Sequence, residues 1–380
     1  MLLALAVSLT VYSLLNFYIG RRGAQALAGY PSARAVFLVA FIGLALAFPI
    51  GRVLLAVARG WPASVLVQVG TFHLAVMLYG LMAVLAVDLV RLVNAFIPFL
   101  QKGLAAGTRP AAAVFAVAAA GVALTIAAGA WNATRLRTVE LEIRLPRKAG
   151  PGGRLTLAVA SDLHLGTLVG PSRLEKVVDR LNALEPDAVL LAGDVVDETV
   201  SEEIESRLGA IMRRLRAPLG VYAVPGNHEF FSGLERNLAC LRACGIVVLE
   251  DRAVRVGDAF TLVGRRDPSS LRVQERRLSI AGILNASGLD AGLPVVVLDH
   301  QPVRLEEAAE AGASLQVSGH THDGQVFPIG LVNGLIYELN HGHLRKGDTH
   351  FYVTSGAGTW GPPIRVGSRA EVVRIGLKFE

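Results

Sequence analysis

Cysteine occurs only twice in 380 residues, at Cys240 and Cys244, which excludes a disulfide framework. The spacing of the two puts them on one face of a helical stretch, Leu234 to Cys244, where free cysteines act as small core hydrophobes. Charge is scarce as well: 18% of residues are charged against 52% hydrophobic, and the mean hydropathy is +0.48. An ordinary soluble domain carries about a quarter charged residues, so part of this chain sits in lipid. The net charge is +6, yet no basic, aromatic-interleaved tract occurs, so no nucleic-acid partner is expected. Anionic lipid headgroups and phosphorylated substrates fit that basic balance. No cationic segment precedes the first apolar stretch, so a retained helix is expected there rather than a cleaved signal.

The apolar excess lies before Trp131, and three regions follow: a helical membrane region over 1–131, a linker over 132–153 and a second domain over 154–380. Four stretches approach the ~20 residues that cross a bilayer: Leu2 to Tyr18, Ala35 to Val57, Ala63 to Val87 and Ala112 to Trp131. Pro49, Gly51 and Arg52 interrupt the second, which is expected to end early. These stretches lack charge in their central parts and show no inverted repeat, which argues against a transporter. Gln68 and His73 lie within the third, where a helix–helix contact is expected. The first loop holds Arg21, Arg22 and Arg34 and the third Arg91, Lys102 and Arg109, whereas the second has Arg59 and Arg52. The positive-inside rule then places loops one and three in the cytoplasm and both termini outside, although Arg135 and Arg137 pull the other way.

From Arg154 onward short apolar runs alternate with amphipathic stretches. Strands are expected at Leu155 to Ala160, Ala188 to Ala192, Val221 to Val224, Ile246 to Leu249, Phe260 to Val263, Val295 to Leu298, Leu315 to Val317, His350 to Thr354 and Glu371 to Ile375. Helical periodicity marks Arg173 to Leu184, Ile204 to Arg216 and Leu234 to Cys244. Strands this apolar are buried on both faces, so the sheets are sandwiched between helices in an α/β fold. Polar clusters follow several strands: Ser161-Asp162-Leu163-His164, Gly193-Asp194, Gly226-Asn227-His228-Glu229, Asp299-His300 and Gly319-His320-Thr321-His322. Strand ends of open α/β sheets are where ligands bind. Carboxylate, amide and imidazole donors without thiolate suit Mn²⁺, Fe²⁺ or Zn²⁺. Seven candidate ligands in these clusters exceed the need of one ion. Two adjacent ions sharing a carboxylate and a hydroxide that attacks phosphorus in line would use them all.

These clusters, in this order, resemble the calcineurin-like metallophosphoesterase superfamily, whose pattern is Asp-x-His, Gly-Asp, Gly-Asn-His-Glu, a later His and Gly-His-x-His. The resemblance covers about residues 154 to 380. The tail from Gly356 to Arg365 looks like the bacterial membrane-associated branch, which includes phosphodiesterases and enzymes that split UDP-diacylglucosamine, and it reads as a branch marker rather than chemistry. The resemblance implies a four-layer α/β/β/α sandwich in the bacterial inner membrane. It implies one metal on Asp162, His164 and His322, a second on Asn227, His300 and His320, and Asp194 bridging them. His228 would hold no metal and would protonate the leaving group. Asp299 and Asp323, beside two ligand histidines, are expected to accept their free ring N–H. Arg265 and Arg266 follow the fifth strand and are expected to clamp a second phosphate. The expected activity is hydrolysis of a phosphodiester, phosphomonoester or diphosphate, on a lipid-linked or nucleotide-linked substrate. The alternative is a membrane sensor or scaffold that binds through the same domain without turnover, which loss of ligands would mark; none is lost.

Overall fold

The computed structural model describes residues 2–58, 60–98, 108–145, 153–197, 202–273, 276–289 and 292–379. Arg59, Lys102 and the 146–152 part of the expected linker lie outside them. The chain forms two units, Met1–Ala130 with Gly361–Pro363, and Trp131–Trp360 with Ile364–Glu380.

In the first unit the long apolar runs become helices, because a helix satisfies its backbone polar groups internally. They are α1 (Leu2–Ala26), α2 (Pro31–Ala58), α3 (Trp61–Phe96) and α4 (Thr108–Thr134). Among the described residues three segments are long and apolar enough to cross a membrane: Pro31–Val57, Trp61–Phe96 and Arg109–Thr134. Helix α1 is 25 residues long and turns Leu3, Leu14 and Phe17 outward. Such an apolar exterior, continued by Val39, Val57, Val117 and Leu124, is stable only against an apolar solvent.

Helix α2 does not end at Pro49 but continues to Ala58. Around that break α2 and α3 approach at glycines: a Cβ at Gly51 would lie 2.7 Å from the Val67 nitrogen, and one at Gly70 2.2 Å from that of Phe48. Small residues permit this close crossing, and its packing holds the proline-containing helix together. His73 lies at a helix–helix contact, its Nε2 2.7 Å from Asn16 Oδ1.

The second unit is built on two six-stranded sheets. The first has the order β1 (Leu136–Leu145), β12 (Ala370–Phe379), β2 (Gly153–Ala160), β3 (Ala188–Leu191), β4 (Val221–Ala223), β5 (Val247–Val248). The other runs β10 (Gly342–Lys346), β11 (Thr349–Val353), β9 (Leu315–Ser318), β8 (Val295–Leu298), β7 (Phe260–Gly264), β6 (Arg252–Val256). Strands β2 to β5 are parallel, as are β7, β8, β9 and β11.

Alternation along each strand divides the core into layers. Leu157, Val159 and Leu190 meet Leu262, Val296 and Val317 between the sheets. The intervening Ala158, Val189 and Leu191 pack on α5 (Pro171–Asn182), α6 (Glu202–Met212) and α8 (Leu234–Ala243), which follows the short α7 (Asn227–Ser232). On the far side Val263 and Val297 pack on α9 (Ile280–Ser287) and α10 (Glu306–Glu310). The result is the four-layer α/β/β/α order.

Strand β1 corrects the linker reading, because 136–145 is a full strand pairing in parallel with β12. Its alternation is visible in retrospect: Ile143 and Leu145 are buried, with Val139 and Leu141 packed beside the same core. Four of its ten positions are charged, which makes it look soluble and irregular when β12, more than 200 residues later, is not beside it. Strands β6 and β10 were likewise not expected; β10 pairs on one side only, at a sheet edge, where polar residues are tolerated.

Candidate metal centre

Each polar cluster sits where a buried strand stops. Asp162 and His164 follow β2, Asp194 follows β3, Asn227 and His228 open α7 just beyond β4, His300 follows β8, and His320 and His322 follow β9. Five of these residues adopt left-handed backbone: Asp162 (φ 53°), His164 (49°), Asp194 (51°), His320 (70°) and His322 (51°). For residues with a Cβ this conformation is costly, and its concentration in one place marks a functional site. Two glycines let the loops close up. Gly193 has φ +89° and carries no Cβ where one would lie 2.4 Å from His300 Nδ1, and a Cβ at Gly226 would lie 2.1 Å from Asp194 Oδ1.

The side chains converge in three overlapping groups: Asp162 with His164 and His322, His164 with Asp194 and His228, and Asp194 with His300 and His320. Within each group the ligand atoms lie within 4.8 Å of one another. Asn227 Oδ1 joins the third, 2.7 Å from His320 Nδ1 and 3.2 Å from His300 Nε2. All seven expected ligands are therefore neighbours.

The donor set fits a divalent cation. The His300 Nδ1–H donates to the Ala192 carbonyl (2.7 Å), which turns Nε2 toward Asp194 Oδ2 (3.2 Å) and the Asn227 oxygen. His164 Nε2 and His322 Nε2 are buried 3.0 Å apart, and the Nδ1 atoms of both rings have no hydrogen-bond partner. Two buried imidazole nitrogens this close share either a proton or a cation between them. The electrostatics divide these groups. Burial lowers the pKa of His300, but Asp194 and Asp162 outweigh it and raise it well above the usual imidazole range. Burial pushes Asp194 up, yet His300 and His164 hold its carboxylate well below the ordinary range. Burial and the neighbouring His164 keep His322 well below the imidazole range, and burial and His300 bring His320 down to about 3. The ionised Asp194 and the neutral His320 and His322 are in the protonation states that bind metal, whereas His300, and Asp162, whose pKa burial raises, would give up protons as an ion entered.

Two residues given no role from sequence hold the site in place. Glu229 is fully buried and accepts from the backbone N–H of Asp194 (3.1 Å), Val195 (2.7 Å), Val196 (2.9 Å) and Gly226 (2.8 Å), locking the β3 and β4 loops together. It lay in the open as the last residue of Gly-Asn-His-Glu. Asp197 hydrogen-bonds His228 Nδ1 and lies 3.8 Å from His164 Nδ1. Its only sequence signal is its place three residues after Asp194.

The tail from Gly356 to Arg365 has more than a marker's part. Gly358 N donates to Asp162 O (2.8 Å) and Ala357 N to Ser161 O (2.9 Å). The fully buried Arg365 guanidinium donates to the carbonyls of Ser355 (2.8 Å), Gly356 (3.1 Å) and Gly358 (2.8 Å). The tail thus backs the loop that carries Asp162 and His164.

Four expectations need correction. Asp299 does not orient His300, whose ring donates to Ala192. Asp299 accepts instead from Arg265 (3.1 Å) and from Arg277 at both oxygens (2.6 Å each). Asp323 does not orient His322; its Oδ1 accepts from Asn340 (3.1 Å). Arg265 is 3% exposed, between Asp299, Glu307 (2.8 Å) and the Leu278 carbonyl, so its donors are spent inside the protein and not on substrate. Arg266 pairs with Glu250 (3.0 Å). The cationic run after β7 is structural because Asp299, Glu307 and Glu250, distant in sequence, are brought to it by the second sheet. Arg265→Met accordingly removes one cation from Asp299 and Glu307, which keep Arg277 (2.6 Å) and Arg304 (2.8 Å), and lowers stability by about 1.5–3 kcal/mol in denaturant unfolding, with KM unchanged; a raised KM at unchanged stability would restore the clamp.

Comparison with known proteins adds the family. The family model for calcineurin-like phosphoesterases matches residues 155–324. A protein of Helicobacter pylori described as an uncharacterized metallophosphoesterase is 33% identical over 225 residues, 59% of this chain and 60% of its own length. A Danio rerio transmembrane protein with metallophosphoesterase domain is 33% identical over 256 residues, 64% of this chain and 57% of its own. The chain thus spans less than two thirds of these two relatives. An Aquifex aeolicus protein, also described as an uncharacterized metallophosphoesterase, is 33% identical over 244 residues, 63% of this chain and 90% of its own length. Similarity at that level across nearly the whole of the Aquifex protein, with the family model matching residues 155–324, means that this chain belongs to the calcineurin-like phosphoesterase family.

Proposed function

We propose that the chain is a membrane-anchored phosphoesterase that uses two divalent ions, Mn²⁺, Fe²⁺ or Zn²⁺, to hydrolyse a phosphodiester, phosphomonoester or diphosphate. The observation that carries this reading is the sharing of Asp194 between two of the three groups, since one carboxylate common to two clusters is how two like charges are held close. Asp162, His164 and His322 would hold one ion, Asn227, His300 and His320 the other, with Asp194 common to both. Bound there, the ions would neutralise phosphoryl oxygens and lower the pKa of water.

The chain's own residues would do the rest. Asp197 holds His228 by Nδ1, which leaves Nε2 for the leaving oxygen. Burial lowers the His228 pKa, but the hydrogen bond to Asp197 and the charge of Asp194 more than offset it and raise it, so the ring carries a proton to donate. Glu229 keeps the loops bearing Asp194 and His228 in register.

Full-length protein loaded with manganese is expected to bind two ions per chain and to turn over within a panel of aryl and alkyl monoesters, diesters and lipid-linked or nucleotide-linked diphosphates. The product pattern names the reaction. Two bound ions with no turnover of any member would favour the sensor reading.

With α1 as a fourth span, the arginines flanking the α1–α2 connection favour a topology in which that loop would lie in the cytoplasm of a bacterial inner membrane and the catalytic unit outside. A C-terminal reporter that fluoresces only in the cytoplasm is expected to stay dark; a bright signal reverses the topology.

A further inference from the structure

The loop bearing His320 and His322 leads into α11 (Ile329–Ile336), whose sequence IGLVNGLI contains no charge. None of its residues is buried: Leu331 is 66% exposed, Leu335 89% and Ile336 67%. Yet the helix is not loose. Its one polar side chain points inward, Asn333 Nδ2 donating to the Thr321 carbonyl (2.9 Å) between the two histidines. At its start, the backbones of Gly324 and Gly330 approach so closely that a Cβ on Gly324 would lie 2.1 Å from the Gly330 nitrogen. An aliphatic helix held firmly in an outward position is built to be covered.

The apolar surface continues around the site. Trp360 is 57% exposed, fixed at its backbone by paired hydrogen bonds with the Gln325 side chain (2.7 and 2.9 Å). Its ring lies 5.9 Å from that of His228, and Phe231, 60% exposed, lies 6.0 Å from the same imidazole. Glu338, two residues past α11, is half-exposed but paired with Lys346 (2.9 Å), and two exposed arginines lie near the rim. Arg272 follows the exposed Leu271 on a turn packed against α7, and Arg369 lies two residues from Gly367, which touches Phe327 at the foot of α11.

We infer that this rim is a lipid-docking surface: α11 and Trp360 enter the outer part of an anionic leaflet while Arg272 and Arg369 meet its phosphates. Three observations favour a bilayer over a protein partner. The helix offers aliphatic surface with no outward hydrogen-bonding group to specify one protein; an indole at the edge suits the headgroup boundary; and the surrounding charge complements anionic lipid. The chain's own apolar helices guarantee that a bilayer is at hand. Because Trp360 and Phe231 flank His228, a phosphoester reaching the site across this rim keeps its acyl chains in lipid, so the substrate class is an acyl-bearing phosphoester. That last step rests on the phosphoesterase reading; the docking does not.

The test separates the two. In full-length Trp61→Phe/Trp131→Phe protein, reconstituted in vesicles of phosphatidylglycerol and phosphatidylcholine, Trp360 is the sole tryptophan. Brominated acyl chains are expected to quench its emission by half or more, and Leu331→Glu/Leu335→Glu to abolish the quenching. The same pair of substitutions is expected to lower kcat/KM tenfold or more for a lipid phosphoester in vesicles while sparing a soluble aryl diester. Unquenched Trp360 in a protein that cleaves the aryl diester overturns the docking and leaves α11 to a protein partner, with the phosphoesterase reading intact. Quenching without cleavage of either substrate upholds docking and overturns the catalytic reading.

Discussion

Asp194→Asn is expected to reduce turnover by roughly 10³-fold or more and to lower the bound metal from two ions per chain. Asparagine fills the same volume and its oxygen can still accept from the His228 backbone N–H, which reaches Asp194 Oδ1 at 2.9 Å. What it loses is the charge, and at Oδ2, 3.2 Å from His300 Nε2 and 3.8 Å from His164 Nε2, an amide N–H would face ring nitrogens that turn lone pairs the same way. The effect is therefore one of charge and donor type at a shared position. Elemental analysis of purified protein, with kcat at saturating Mn²⁺ and circular dichroism to confirm the fold, checks it. Turnover near that of the wild type at saturating metal would sink the two-ion reading.

His228→Ala is expected to have a different signature, because in the proposed site His228 would stand at the leaving oxygen and hold no ion. Metal content is expected to stay at two per chain. Alkyl esters, whose leaving oxygen must be protonated, are expected to slow by about 10²–10⁴-fold, and p-nitrophenyl esters, whose leaving group departs as an anion, by less than about tenfold. Equal slowing of the two classes would remove the acid from the mechanism. The companion variant Asp197→Asn acts on His228 through its imidazole, and because Asp197 also lies 3.8 Å from His164 Nδ1, metal content is measured beside it. Since Asp197 raises the His228 pKa, its removal lowers that pKa, so the ring loses its proton at a lower pH and the alkaline limb of the kcat profile moves to lower pH. A limb that does not move would mean that Asp197 merely supports the loop.

The membrane and catalytic halves differ in how openly they are written. Charge-free runs such as 35–48 and 112–131 declare helices in lipid without help from any other part of the chain. In the second half, apolar runs such as Ala188–Leu191 end in short polar motifs, and each motif is complete within four residues, so the candidate ligands are legible by type and order. Charge misled at Arg265 and Arg266. A run of arginines looks the same whether it meets a substrate or buried carboxylates, and only the second sheet brings Asp299, Glu307 and Glu250 to it. Asp197 was passed over for the converse reason: an aspartate three residues from a ligand has no meaning until the β3 loop turns it back toward His228.

The sequence by itself determined the division into a lipid-facing half and an α/β half, the strand–motif alternation and the chemistry of the donor atoms, because hydrophobic periodicity and residue type are local properties. Tertiary structure alone decided that β1 completes the first sheet, that Glu229 locks two loops with one carboxylate, that Arg365 and the Gly356–Gly358 backbone support Asp162, and that α11 stands outside the core. Those outcomes depend on pairings between residues tens to hundreds of positions apart, and whether a charge is satisfied or an apolar face covered is set by what folding brings beside it.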